Sequence, residues 1–568
     1  GKDATEIAAR ALRLRLAESA GQKAVAVEDA RFLVLRATPG DDGKAALAAL
    51  ARLDPDRPLT GKERLGRADK MVDQGRIDEA LAELDLAERA ALPPDADELA
   101  WARAFARYKA RGRYDQAAAL FAKIGAKAGP RQAEALYYAA RSLSRADHDQ
   151  EAAVAYRAVA RKFSKSGWAD ESLYLAARLS LLHASWTEAS TGYGAYLRKF
   201  PNGKQRDAAT YERALALLAG GQFAAAKAEL HTLAAATSSA SEGARLRELE
   251  GIAALKSGDK SAALALWNDV VRGSPLSFAA SLARQRLLGE GAQAVPAIDP
   301  GDARPSDPLP VRLPPIAHLY HRLGLDGDAE TYLRAHERDA TSDLTGREKE
   351  ALCAMYGDLG RAARSYRVGV DAVSSATLMH APSPATEWAW KCVYPRPYLD
   401  KVREIEAREA LPKGLIYAVM RQESAYDPDA LSGARAVGLL QLMPDTARKV
   451  AAEGGVPFDE KSLRSPALNI DLGGRYLAKM LRTFKGSAPL AAAAYNAGPR
   501  AVRRWAERLK GQDLDVWAAL IPFEETRTYV NKVMSNFVRY AYLEGGEAAL
   551  PEVELALPLG TKEETAEY

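Results

Sequence analysis

Six short segments recur at nearly constant intervals and constrain the fold more than anything else in the chain. They are "GRIDEA", "GRYDQA", "DHDQEA", "ASWTEA", "GQFAAA" and "GDKSAA", beginning at Gly75, Gly112, Asp147, Ala184, Gly221 and Gly258, with a spacing of 35 to 37 residues. Each joins a small or turn-forming residue to a helix start two or three residues later. A period of this length suits a helix–turn–helix unit whose apolar face only the next unit can cover. Residues 1 to about 295 are alanine-rich, with apolar residues three and four apart, which is the helix signature. A mainly α, superhelical array follows. A ligand on its concave face does not, and a scaffold or spacer without a pocket is an equal reading.

The repeats are similar, loosely, to tetratricopeptide-type units. Beyond them, "PAIDPGDARPSDPLPVRLPP" (296–315) cannot hold a helix and reads as a connector. Two helical patterns follow, at about 316–338 and 346–370. "PSPATEWAWKCVYPRPY" then breaks the pattern before a third region opens near Arg396. The expected domains are a repeat domain at 1–295, a helical linker at 296–395, a third domain at 396–543 and an acidic tail at 544–568. Within that tail "LPEVELALPLG" reads as a short strand or an extended arm, and "TKEETAEY" as a mobile end.

At 568 residues the chain is too long for one core. A formal net charge of +4, with no long basic run interleaved with aromatics, gives no reason to expect nucleic acid. No apolar stretch is long enough to span a bilayer. The first residues are charged and helical in pattern and lack a signal-peptide core. Cys353 and Cys392 sit in no CxxC or Cys/His cluster, so no metal or other cofactor is expected. They are either two buried thiols or, in an oxidising compartment, a disulfide.

The chemistry concentrates in the third region. In "LPKGLIYAVMRQESAYDP" the apolar stripe runs Ile416, Val419, Met420, and its next place is Glu423. Pro428 biases Asp427 away from helix, so the helix should end near Ala425, with Glu423 in the last turn on the apolar face. Desolvation and the negative end of the helix dipole both favour its neutral form. A glutamate kept protonated near neutral pH can serve as a general acid. The competing reading is a carboxylate at a frayed helix end that reaches water.

Three further segments follow. "SGARAVGLLQLMPDTARKVA" places Gln441 among apolar neighbours, where its amide needs partners, a ligand being one candidate. "PLAAAAYNAGPRAVRRWAERL" is a helix ending in Tyr495 and Asn496, with Gly498 as its C-cap and Pro499 opening the next helix. "IPFEETRTYVNKVMSNFVRYAYL" is a proline-led turn into a helix carrying Glu525, Arg527 and Tyr529.

In this order, "RQESAYDPDALS", "GLLQLMP", "AYNAGP" and "IPFEETRTYV" resemble the successive motifs of the soluble lytic murein transglycosylases, whose last domain is similar to goose-type lysozyme. The resemblance implies a superhelical domain, a helical linker and a lysozyme-like domain, located in the periplasm. It implies cleavage of the β-1,4 bond between N-acetylmuramic acid and N-acetylglucosamine, with the muramoyl C6 hydroxyl closing on C1 to leave a 1,6-anhydro product. Glu423 would be the sole catalytic carboxylate, first acid and then base, assisted by the substrate's own N-acetyl group.

The resemblance also assigns supporting positions. Ser432 matches a serine that orients the N-acetyl group, and Gln441 and Met443 match groove-lining positions. Tyr495 matches a tyrosine whose hydroxyl lies near the catalytic carboxyl, and Asn496 the amide beside it. Glu525 matches a substrate contact, and Tyr529 belongs to the same cleft. Leu440, Leu442 and Tyr426 replace the family's commoner methionine, isoleucine and tryptophan, and the last change is expected to retune sugar stacking. Asp427 and Asp429 read as solvated turn residues, and Arg500, Arg503, Arg504, Arg508 and Lys510 as a solvated helix face, with attraction of peptide-stem carboxylates as the alternative. Expected partners are peptidoglycan strands and, through the superhelix, cell-wall synthesis proteins, the chain itself being a monomer. Two other functions stay in view: a hydrolase of the same bond, whose product is heavier by one water, and a non-catalytic wall-binding scaffold.

Overall fold

The computed structural model describes residues 2–292, 295, 297, 298 and 309–558. The centre of the proline-rich connector and the terminal "TKEETAEY" lie outside the described residues. Among those described the chain is helical throughout, without strands. Two isolated antiparallel bridges, Leu431–Val437 and Val437–Leu442, are the extended pairing it shows. The chain divides into two compact units, 1–213 and 214–568.

The repeat signal has a backbone cause. All six residues that open the repeated segments have positive φ: +76° at Gly75, +82° at Gly112, +64° at Asp147, +56° at Ala184, +79° at Gly221 and +91° at Gly258. In each case one helix ends just before that residue and the next begins two residues after it, as with Gly61–Asp73 and Ile77–Glu88 around Gly75. At five of the six the following N–H reaches back five residues, for example Arg76 N–H to Met71 O at 2.8 Å. This is a Schellman closure, which caps orphan carbonyls and reverses the chain. In the first unit successive helices then pack side by side, and alanines at the contacts (Ala117, Ala135, Ala152, Ala169) are fully buried. Trp101, Phe105, Tyr108, Phe121 and Tyr138 form an aromatic core there, with ring centroids of Tyr108 and Tyr138 5.1 Å apart.

The same turn continues past the sequence-visible repeats. The helical patterns expected at 316–338 and 346–370 are each broken by a glycine. Pro315–Arg322 and Asp326–Ala335 are separated at Gly324 (φ +73°), and Glu348–Asp358 and Ala362–Val370 at Gly360 (φ +63°). Leu325 N–H to Tyr320 O and Arg361 N–H to Tyr356 O repeat the five-residue closure. The cysteines form a disulfide, Cys353–Cys392, which ties the Glu348–Asp358 helix to Glu387–Val393.

The last helices of the second unit gather around Glu524–Gly545, whose buried side chains include Tyr529, Val530, Val533, Phe537 and Tyr540. Leu415–Glu423 and Ala488–Ala497 pack on it. Gly414 opens the first of these with φ +90°, and a β-carbon there would press on Tyr540. The helix Phe278–Gly289 packs on the same long helix, its Phe278 N–H donating to Ser535 Oγ at 3.1 Å. Arg286 on that helix grips Asp515 and Asp513 at 2.7 to 2.9 Å. Beyond Pro551 the chain runs as an extended arm rather than a strand, held where Leu514 N–H donates to Leu555 O at 2.7 Å.

Candidate active site

The helix carrying Glu423 is nine residues long, Leu415–Glu423, and its first six residues are buried. It stops two residues earlier than Pro428 alone suggests. Ala425 (φ +51°) and Tyr426 (φ +66°) are both left-handed and turn the chain away. Arg421 fixes the helix from the side. Its guanidinium lies 4.6 Å from the Tyr394 ring centroid and 5.0 Å from that of Tyr366, and its Nη1 donates to Asn536 Oδ1 at 3.1 Å.

Glu423 is drawn inward. Burial pushes its carboxyl up to about 7; a hydrogen bond from Tyr529 pulls against that rise, and the nearby charge of Glu525 adds to it. The Tyr529 hydroxyl donates to Glu423 Oε1 at 2.5 Å. Tyr529 itself is buried, and burial together with the Glu423 charge holds its phenol well above the usual range.

A cleft of about 480 Å³ opens over this pair, lined by Gln422, Glu423, Asn496, Glu524, Glu525, Thr528, Tyr529 and Lys532. Four of the eight candidate residues therefore share it: Glu423, Asn496, Glu525 and Tyr529. Asn496 is steadied by the Thr526 hydroxyl, which donates to its Oδ1 at 2.7 Å. Tyr495 is one step removed. Burial and the charge of Glu423 raise its phenol, but its hydroxyl donates to Leu440 O at 2.8 Å. The tyrosine in direct contact with the carboxyl is Tyr529.

The remaining three, Ser432, Gln441 and Met443, belong to the 430–443 loop. Ser432 Oγ accepts from Ala436 N–H at 2.9 Å. Gln441, at φ +45°, turns its amide nitrogen back onto Ala430 O and Gly438 O, so the loop itself takes that donor. Met443 is exposed. The loop is tied to the end of the Glu423 helix by Ser424 Oγ, which donates to Leu439 O at 2.8 Å.

Asn469, which the motif reading did not single out, organises this loop. It is fully buried, its Oδ1 accepts from Leu440 N–H at 2.8 Å, and its Nδ2 donates to Val437 O and Leu463 O at 2.9 Å. A β-carbon on Gly438 would collide with the Asn469 amide, which is why a glycine stands there. The signal in the sequence is weak: one asparagine on the apolar face of a helix. Tyr426 requires a correction. It is 2 % exposed and its hydroxyl meets that of Tyr540 at 2.6 Å, so it belongs to the core and cannot stack on a sugar.

Beside this geometry stands a family match. Residues 400–517 match the Transglycosylase SLT domain. The SLT segment holds Glu423, the 430–443 loop, Tyr495 and Asn496, while Glu525 and Tyr529 follow just after it. A soluble lytic murein transglycosylase of Escherichia coli is 34% identical over 160 residues, 28% of this chain and 25% of that protein. The chain thus spans about a quarter of the length of that curated relative. Two solved structures share the fold more widely. One is an inactive mutant of the lytic transglycosylase Slt of Pseudomonas aeruginosa, 22% identical with a TM-score of 0.58, covering 96% of this chain and 83% of that one. The other is a 70-kDa soluble lytic transglycosylase in complex with bulgecin A, 18% identical with a TM-score of 0.57, covering 96% and 82%. The helical architecture around the SLT segment is therefore a shared fold.

Proposed function

We propose that this protein is a peptidoglycan lytic transglycosylase, cleaving the β-1,4 bond between N-acetylmuramic acid and N-acetylglucosamine with formation of 1,6-anhydromuramoyl ends. The observation that carries the reading is the Glu423 carboxyl, pushed up to about 7 by burial at the base of an open cleft and held by the Tyr529 hydroxyl. A carboxyl with that affinity for its proton is uncharged for an appreciable fraction of the time at neutral pH and can protonate a departing sugar oxygen. Once ionised, the same group can take the proton of the muramoyl C6 hydroxyl as that oxygen closes on C1. One carboxyl can therefore serve both steps.

Glu525 lies in the same cleft, and its charge favours the protonated form of Glu423. We assign it to tuning and substrate contact. Ser432, Gln441 and Met443 are assigned to the loop that borders the saccharide, with Tyr495 and Asn496 supporting the acid from the neighbouring helix end. The domain sequence proposed is a repeat domain at 1–295, a linker at 296–395, the catalytic domain at 396–543 and a tail at 544–568. Periplasmic action on the murein, as a monomer with wall-synthesis partners on the repeats, completes the reading. Among the described residues no helix is long and apolar enough to cross a membrane.

Mass spectrometry of purified sacculi digested with the protein tests this directly. Anhydromuramoyl products are expected from the wild type, lighter by one water than a hydrolase would give, and none from Glu423→Gln. Hydrated ends would establish a lysozyme-type hydrolase instead, and no release by either protein would leave a binding scaffold.

A further inference from the structure

Among the described residues Lys532 is the one cation lining the cleft, and neither proton-transfer step uses it. It is exposed, and among the described residues no ion pair or side-chain hydrogen bond holds its ammonium. The helix explains why. The residues three and four positions away are Thr528, Tyr529, Ser535 and Asn536, none of them acidic, so no helix-surface ion pair is available.

Its register matters as much as its freedom. Glu525, Tyr529 and Lys532 share one face of the Glu524–Gly545 helix, four residues before and three after the tyrosine that holds Glu423. At 1.5 Å per residue the α-carbons of Glu525 and Lys532 lie roughly 6 Å before and 4.5 Å after that of Tyr529 along the axis. The helix therefore brings Glu524 and Glu525 to the cleft from the turn before Tyr529 and Lys532 from the turn after it. A substrate with anionic groups on one side of its scissile bond meets repulsion in one orientation and attraction in the other.

We infer that Lys532 is a specificity-determining residue that takes a carboxylate of the peptide stem on the muramoyl lactyl group, and so fixes which side of Glu423 the stem-bearing sugar occupies. The inference rests on the proposed transglycosylase reading. It concerns orientation and substrate preference, and Lys532 takes no part in proton transfer.

The experiment compares kcat/KM on two substrates: stem-bearing glycan strands, and the same strands stripped of stems by an amidase with the lactyl carboxyl this exposes then converted to its amide, so that no anion remains on the muramoyl sugar. The wild type is expected to prefer the stem-bearing strands, and the preference should shrink as ionic strength rises from low to high, because an exposed pair is screened. Lys532→Glu should lower the ratio of the two kcat/KM values at least ten-fold, and Lys532→Arg should retain the wild-type ratio. An unchanged ratio in Lys532→Glu, with both substrates still cleaved, overturns this inference alone. Cleavage of neither substrate by the wild type overturns the transglycosylase reading and the inference with it.

Discussion

Tyr529 Oη and Glu423 Oε1 lie 2.5 Å apart although 106 residues separate them in the chain. The phenol is the donor, so it favours the ionised carboxylate, while burial favours the acid. The carboxyl settles near 7 because burial is the larger of the two.

Tyr529→Phe removes that donor. The Glu423 carboxyl should then rise above about 7, and the alkaline limb of the kcat profile should move up with it. The rate at the optimum should fall by roughly 10- to 100-fold through lost positioning of the acid. A pH–rate profile of the variant on glycan strands checks both effects, and a limb that moves down would contradict the assigned roles.

The same carboxyl makes activity and stability depend on pH in a fixed sense. In the role of acid proposed for it, it is needed protonated, so the rate should fall as pH rises through about 7. Its folded value lies above the ordinary 4.5, so the folded state holds the proton more tightly than the unfolded chain. The resulting stability is fully present below about 4.5 and is lost as pH rises through about 7. Glu423→Gln abolishes this loss and should be more stable than the wild type at pH 8.5 by about 2–3 kcal/mol, with a much smaller difference at pH 5. Denaturant titrations at the two pH values measure it.

Asn469→Ala should disorganise the 430–443 loop. Three hydrogen bonds disappear, leaving Leu440 N–H, Val437 O and Leu463 O without that partner in a buried site. A cost of about 2–4 kcal/mol is expected. Amide hydrogen exchange should show loss of protection at Leu440, and turnover should drop even where the protein stays folded.

Ala184 is the one repeat-opening residue that carries a β-carbon without any polar side-chain compensation, at φ +56°. Ala184→Gly should relieve left-handed strain of about 1–2 kcal/mol, against about 0.5–1 kcal/mol of added unfolded-chain entropy. A net gain of about 0.5–1 kcal/mol is expected, readable as a rise of a degree or two in melting temperature by calorimetry. A lower melting temperature would show that the turn is not strained there.

The repeat was legible because its cause is local. Gly75, Gly112, Gly221 and Gly258 mark left-handed turns that any sequence reader can find, whereas the equivalent turns at Gly324 and Gly360 lie beyond the proline-rich connector at 296–315, which interrupts the register of the array. The four motifs likewise marked Glu423, Asn496, Glu525 and Tyr529, which the fold brings to one cleft. Asn469 and Arg421 were passed over because their partners, Leu440 and Asn536, lie 29 and 115 residues away. Tyr426 was misjudged for the same reason: only its packing against Tyr540 reveals that it faces inward.

From the sequence alone came the helices, the turns between them and the carboxyl placed where the apolar stripe continues, because spacing and backbone sign are set by neighbours within a few residues. The tertiary structure decided which tyrosine touches that carboxyl, how deeply it is buried and which charges flank it. Those depend on the register at which the Glu524–Gly545 helix lies against Leu415–Glu423, a relation between segments about a hundred residues apart that no local pattern encodes.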